Sequence, residues 1–117
     1  MEVQLLVVED CPNRGPAAVV LRRALDEVGL SPVHFTTRVV TSQAEAEQLG
    51  FLGSPSVLID GRDPFAEPHH RPALACRLYG DDTGVSGVPP IRRLRQALKQ
   101  AADQPAPHGQ PAPSAQP

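Results

Sequence analysis

The sequence predicts an α/β domain with a mixed four-stranded sheet flanked by helices, in the order β-α-β-α-β-β-α. Three observations carry this. A nearly continuous apolar run, Val3 to Val8, precedes a segment of helical periodicity. A strand of period two then leads into a helix-start signal at Ser42. A second apolar run, Ser56 to Asp60, closes on the turn pair Asp60-Gly61.

The first run is bounded by Glu9-Asp10 and suits a central strand covered on both faces. From about Pro16 to Val28, the residues Ala17, Val20, Leu21, Ala24, Leu25 and Val28 recur at helical spacing, and Gly29 supplies the stop. Val33, Phe35, Thr37 and Val39 alternate with His34, Thr36 and Arg38 as a strand with unequal faces. Ser42-Gln43-Ala44-Glu45 is a capping box that opens a short helix from about Gln43 to Leu49, ended by Gly50. After the third strand, Arg62 to Leu74 holds three prolines and reads as a long loop. Ala75 to Tyr79 reads as a fourth strand antiparallel to the third, and Gly80 to Gly87 as turns. Pro89 or Pro90 opens a last helix striped by Ile91, Leu94, Leu98 and Ala101. Right-handed crossovers make the first two β-α-β pairings parallel, and the hairpin adds an antiparallel edge.

The chain has 117 residues, which fits one domain. Residues 1–103 are expected to fold, and 104–117, rich in Pro, Ala and Gln, to form a disordered tail that cannot bury enough apolar surface to offset its ordering entropy. With three Phe, one Tyr and no Trp, the core relies on Leu, Val and Ala, and aromatic stacking on bases or sugars is excluded. A net charge of −2 with Arg scattered among Asp and Glu gives no basic field, so nucleic acid is not an expected partner. No apolar stretch approaches the roughly 18 residues of a membrane span, and the N-terminus lacks a basic leader, so no membrane partner and a cytoplasmic location are expected.

The chemistry centres on Cys11-Pro12-Asn13-Arg14, at a strand-to-helix junction. A cysteine there faces unpaired backbone N–H groups and the positive end of the helix dipole, which favour thiolate over thiol. The helix starts either at Pro12, or at Pro16 with Gly15 as cap, and in the second case the dipole acts more weakly on Cys11. Arg14 favours the thiolate and Asp10 opposes it. The competing reading of Cys11 is a small buried hydrophobe. Gly53-Ser54-Pro55 opens the third strand, with Pro55 either cis or an ordinary trans proline. Cys76 is either a core thiol or a resolving or metal-sharing partner of Cys11. Asp63, Glu67, His69 and His70 lie in the long loop, but with no helical i, i+4 or C-x-x-C spacing no metal site is expected, and the loop reads as a lid or recognition segment.

In element order, in the cysteine at the first strand-to-helix junction and in the proline at the start of the third strand, residues 2 to 102 resemble the thioredoxin-like superfamily. The resemblance implies a cis Pro55, with Ser54 and Pro55 lining the thiol site beside Pro12 and Arg14, and Ser54 offering backbone hydrogen bonds to an extended substrate or to glutathione. Pro12 matches the second position of the glutaredoxin-type C-P-x-C motif, but Arg14 stands where the resolving cysteine would be, which excludes a local dithiol cycle. The expected activity is monothiol exchange at Cys11 with a thiol or disulfide substrate, glutathione being the co-substrate and no bound cofactor being needed. More narrowly, Asp10-Cys11-Pro12-Asn13, Gly50-Phe51-Leu52-Gly53-Ser54-Pro55, Asp60-Gly61-Arg62-Asp63-Pro64 and Cys76-Arg77-Leu78-Tyr79 look like phrases of small bacterial thioredoxin-family proteins, some labelled alkylmercury lyase. That implies an alternative in which Cys11 and Cys76 hold a soft metal ion such as mercury, with Asp10 as a conceivable acid. A third alternative is a non-catalytic binding module in which Cys11 is buried.

Overall fold

A computed structural model describes residues 1–103; the expected tail at 104–117 lies outside the described residues. The elements are β1 (Val3–Val7), α1 (Arg14–Glu27), β2 (Phe35–Val39), α2 (Gln43–Leu49), β3 (Ser56–Ile59), β4 (Tyr79–Asp81), β5 (Gly84–Ser86) and α3 (Ile91–Ala102). The architecture is mixed α/β: a three-stranded mixed sheet of order β2-β1-β3, a separate two-stranded sheet β4-β5, and three helices.

β1 is central, as its unbroken apolar run requires, and side-chain alternation divides the core between its two faces. Val3, Leu5 and Val7 of β1 and Val57 and Ile59 of β3 pack with Ala17, Leu21, Ala24 and Leu25 of α1 and with Leu94 and Leu98 of α3. Leu6 and Leu58 point the other way, onto Ala46 of α2, Val40 and Phe51. The periodic positions of α1 and α3 are those expected. α1, however, begins at Arg14 rather than at either proline, so that Pro16 falls in the first turn, where an absent N–H costs no intrahelical bond. Ser42 caps α2 by accepting from the Glu45 amide, while the Glu45 carboxylate accepts from the amide of Thr41, one residue earlier than in a standard capping box.

The expected four-stranded sheet and its pairings need correction. β2 runs parallel to β1, with Val3 opposite Phe35, but β3 is antiparallel to β1, with Val3 opposite Ile59 and Leu6 opposite Ser56. The seven residues of α2 span about 10 Å, less than the roughly 17 Å of a five-residue strand. The chain therefore stays at the end of the sheet where β2 finished, and β3 starts there and runs back. Asp60 and Gly61, at φ 52° and 80°, then form a two-residue turn closed by mutual Ile59–Arg62 backbone bonds.

Ala75 to Tyr79 is not an antiparallel fourth strand. The loop from Arg62 to Leu74 returns the chain to the start of β3, and the segment makes a single parallel bridge there, Ser54 opposite Cys76. A return of about a dozen residues is the length that parallel pairing requires. The expected turns at 80–87 hold the β4–β5 hairpin, in which Tyr79 faces Ser86. No helix among the described residues is long and apolar enough to cross a membrane.

Candidate functional site

Ser54 ties together the two segments that carry cysteine. It is fully buried, and its Oγ accepts from the Val8 amide at 3.0 Å, just beyond the end of β1. The Val8 carbonyl in turn accepts from the Cys11 amide at 3.3 Å. On the other side, the Ser54 amide donates to Ala75 O at 2.7 Å and its carbonyl accepts from the Arg77 amide at 2.9 Å, which flanks Cys76 with two backbone bonds. The Ser54–Pro55 peptide bond is cis. Both backbone groups that the resemblance assigns to an external substrate are thus engaged by the chain's own residues 75–77.

The Cys11 segment is a tight junction between β1 and α1. Asp10 adopts φ 59°, a left-handed conformation that Asp tolerates better than most side chains, and the Cys11 carbonyl accepts from the Arg14 amide at 3.2 Å. Asn13 caps α1 without a side-chain bond. Cys11 therefore stands two residues ahead of the cap, outside the first turn, where the helix dipole has already weakened. Cys11 is 9% exposed and joins the core cluster that contains Leu21, Phe65 and Tyr79. Pro12 and Arg14 are exposed, and the hydrogen bond that joins Arg14 to Cys11 runs between backbone groups, with no side-chain bond or ion pair between them among the described residues. Asn13 packs on Gly87, where a Cβ would collide with its side-chain amide, so the segment before α3 borders the cysteine turn.

Cys76 is an exposed free thiol, flanked two residues away on each side by exposed Leu74 and Leu78, while Arg77 and Tyr79 turn inward. Arg77 is the main fastening of this segment. Its guanidinium meets Asp63 at 2.6 Å with both side chains 5% exposed. It also donates to Ser56 Oγ at 3.0 Å and Phe65 O at 3.1 Å, and lies over the Tyr79 ring at 4.7 Å. The Tyr79 hydroxyl donates to the Pro55 carbonyl. Burial pushes the Tyr79 phenol well above its ordinary value, with the neighbouring Arg77 charge acting in the opposite direction. Gly53, at φ 121°, lets the two segments approach closely: a Cβ there would stand 2.9 Å from that of Arg77.

Folding therefore gathers Ser54, Pro55 and Cys76 at one corner and connects Cys11 to it through Val8, while Pro12 and Arg14 lie on the solvent side of the cysteine turn. Sequence reasoning named Asp63 only as a loop residue and missed its pairing with Arg77 and the stacking of Arg77 on Tyr79. The available signal was Asp63-Pro64, where the Asp63 carboxylate accepts from the Phe65 amide at 2.8 Å as an Asx turn. Nothing in the phrase Cys76-Arg77-Leu78 announces that arginine faces in and leucine out.

Comparison with family models, with curated proteins and with solved structures finds no match to this chain.

Proposed function

We propose that this chain is a thioredoxin-like thiol protein in which Cys11 is the nucleophile of thiol–disulfide or glutathione-type exchange. The observation that carries the reading is the tie between the cysteine turn and the Ser54–Pro55 corner, in which Ser54 Oγ accepts from the Val8 amide and the Val8 carbonyl accepts from the Cys11 amide. The β2-β1-β3 sheet, with a thiol where β1 passes into α1 and a proline corner opening β3, supports it further.

In the reaction, the Cys11 thiolate attacks the glutathione sulfur of a mixed disulfide between glutathione and a substrate thiol. It forms a mixed disulfide and releases the other sulfur as a thiolate. Reduced glutathione then attacks the glutathione sulfur of that adduct, restoring the Cys11 thiolate and leaving oxidised glutathione. The test is incubation with oxidised glutathione followed by peptide mass spectrometry, alongside glutathione-dependent reduction of a small disulfide. One adduct on Cys11 and loss of turnover in Cys11→Ser are expected. Full turnover in Cys11→Ser, with the adduct only on Cys76, refutes the assignment, whereas no adduct on Cys11 and no turnover in the wild type leaves the binding-module reading.

The convergence on Ser54 also favours a second reading, in which Cys11 and Cys76 together hold a soft ion such as mercury(II). One mercury per chain, lost in both Cys11→Ser and Cys76→Ser, supports it; retention in either variant removes it.

A further inference from the structure

We infer that the turn Glu67-Pro68-His69-His70 is a binding site for a divalent transition-metal ion of borderline softness, with zinc as the representative. It is independent of the thiol reading. The sequence lacks the helical spacing that normally brings histidines onto one face, but a turn does the same work. The His70 amide donates to the Glu67 carbonyl at 3.0 Å, closing a four-residue turn with Pro68 at the position where its fixed φ is favoured. Closure brings the first and last side chains of the turn together, and His69 joins them.

One ligand atom from each of Glu67, His69 and His70 lies within 4.8 Å of the others. His69 Nε2 and the Glu67 carboxylate are 3.5 Å apart. Ligands about 2.0–2.1 Å from a tetrahedral zinc stand about 3.3 Å from one another, so that pair already has the separation coordination needs. His70 must close by the order of 1 Å, which rotation of partly exposed side chains provides. The His69 and His70 rings are neighbours, with centroids 4.6 Å apart.

The loop is anchored on both sides of the turn. Phe65 is buried and Asp63 is held by Arg77, while the Gln43 side chain donates to Pro72 O at 3.0 Å and the Ala73 amide to Phe51 O at 3.1 Å. Much of the ordering cost of a three-ligand site is thus met by the fold. Two imidazoles and one carboxylate select zinc, copper(II) or nickel(II) over calcium or magnesium, which prefer all-oxygen shells. Three protein ligands leave a fourth position for water or an outside donor. His70 Nδ1 accepts from the Glu67 amide at 3.0 Å. In the neutral ring this puts the proton on Nε2, and binding exchanges that hydrogen bond for a metal bond.

The test is calorimetric titration of the full chain with zinc at neutral pH, in wild type, His69→Ala, His70→Ala, Glu67→Gln and Cys76→Ser. The proposal expects one zinc per chain. Binding should weaken about tenfold or more in each histidine variant, about 1.4 kcal/mol, with little change in Cys76→Ser, and the imidazole nitrogen signals of both histidines should move on loading. Glu67, His69 and Cys76 are exposed and His70 is half-buried, all outside helices and strands, so unchanged far-ultraviolet circular dichroism is expected throughout. Zinc binding that survives both histidine substitutions, binding that vanishes in Cys76→Ser, or no saturable binding each overturns the proposal.

Discussion

Replacing Arg77 by leucine tests whether the Cys76 segment is fastened as described. The Arg77 and Asp63 side chains are each 5% exposed and 2.6 Å apart, so solvent screens the pair little. Removing one partner of such a pair leaves the other charge buried and uncompensated, a loss of about 3–5 kcal/mol. Arg77→Leu retains much of the apolar stem, and Ser56 Oγ keeps its bond to Gly53 O, but Phe65 O loses its donor. The expected loss is therefore about 3–5 kcal/mol, a large part of the 5–15 kcal/mol that holds a typical domain. At about 4–8 °C per kcal/mol, the melting temperature should fall by at least about 12 °C. Asp63→Asn should also destabilise, but it preserves an acceptor for the Phe65 amide. The double variant should lose less than the sum of the singles, with a coupling of about 1–3 kcal/mol. Urea unfolding followed by far-ultraviolet circular dichroism measures all four proteins. A loss below about 1 kcal/mol for Arg77→Leu, or strict additivity in the double variant, would refute the fastening argument.

Gly53→Ala forces a side chain into φ 121° and sets its Cβ 2.9 Å from Arg77 Cβ, so a loss of about 1–3 kcal/mol is expected in the same unfolding assay; a neutral result would show that the two segments are not in close approach. Tyr79 is the only tyrosine and there is no tryptophan, so phenolate absorbance reports this residue alone. Burial raises its folded value above the ordinary 10.0, so its contribution to stability is complete below that pH and is lost as pH rises past it. Phenolate should appear only together with loss of circular dichroism, and reversible titration near 10.0 in a folded chain would contradict the buried hydroxyl.

Local signals fixed much of this chain. The periodic apolar sets of α1 and α3, the Ser42 cap, the Asp60-Gly61 turn and the central position of β1 follow from side-chain spacing and backbone preference, which act over a few residues and do not depend on distant partners. The parallel pairing of β1 and β2 followed as well, but the direction of β3 did not. Whether β3 runs with or against β1 depends on how far the intervening helix carries the chain, and whether 75–79 forms a strand depends on where the long loop sets it down. The facing of Arg77 and Leu78 was illegible for a related reason. A buried arginine is tolerated only where a carboxylate and other acceptors wait for it, and Asp63 and Phe65 reach that position through a loop with no periodicity to read.

The same division runs through the candidate sites. The sequence by itself marked Cys11, the Ser54-Pro55 corner and Cys76, because thiols and prolines announce their chemistry by type and by junction. Only the tertiary structure made Ser54 the link between the two cysteine segments, burying Cys11 and exposing Cys76, and only a closed turn brought Glu67, His69 and His70 within one ion's reach. Residue type determines what a group can do, but which groups meet is decided by long-range hydrogen bonds and chain return, and these are properties of the whole fold.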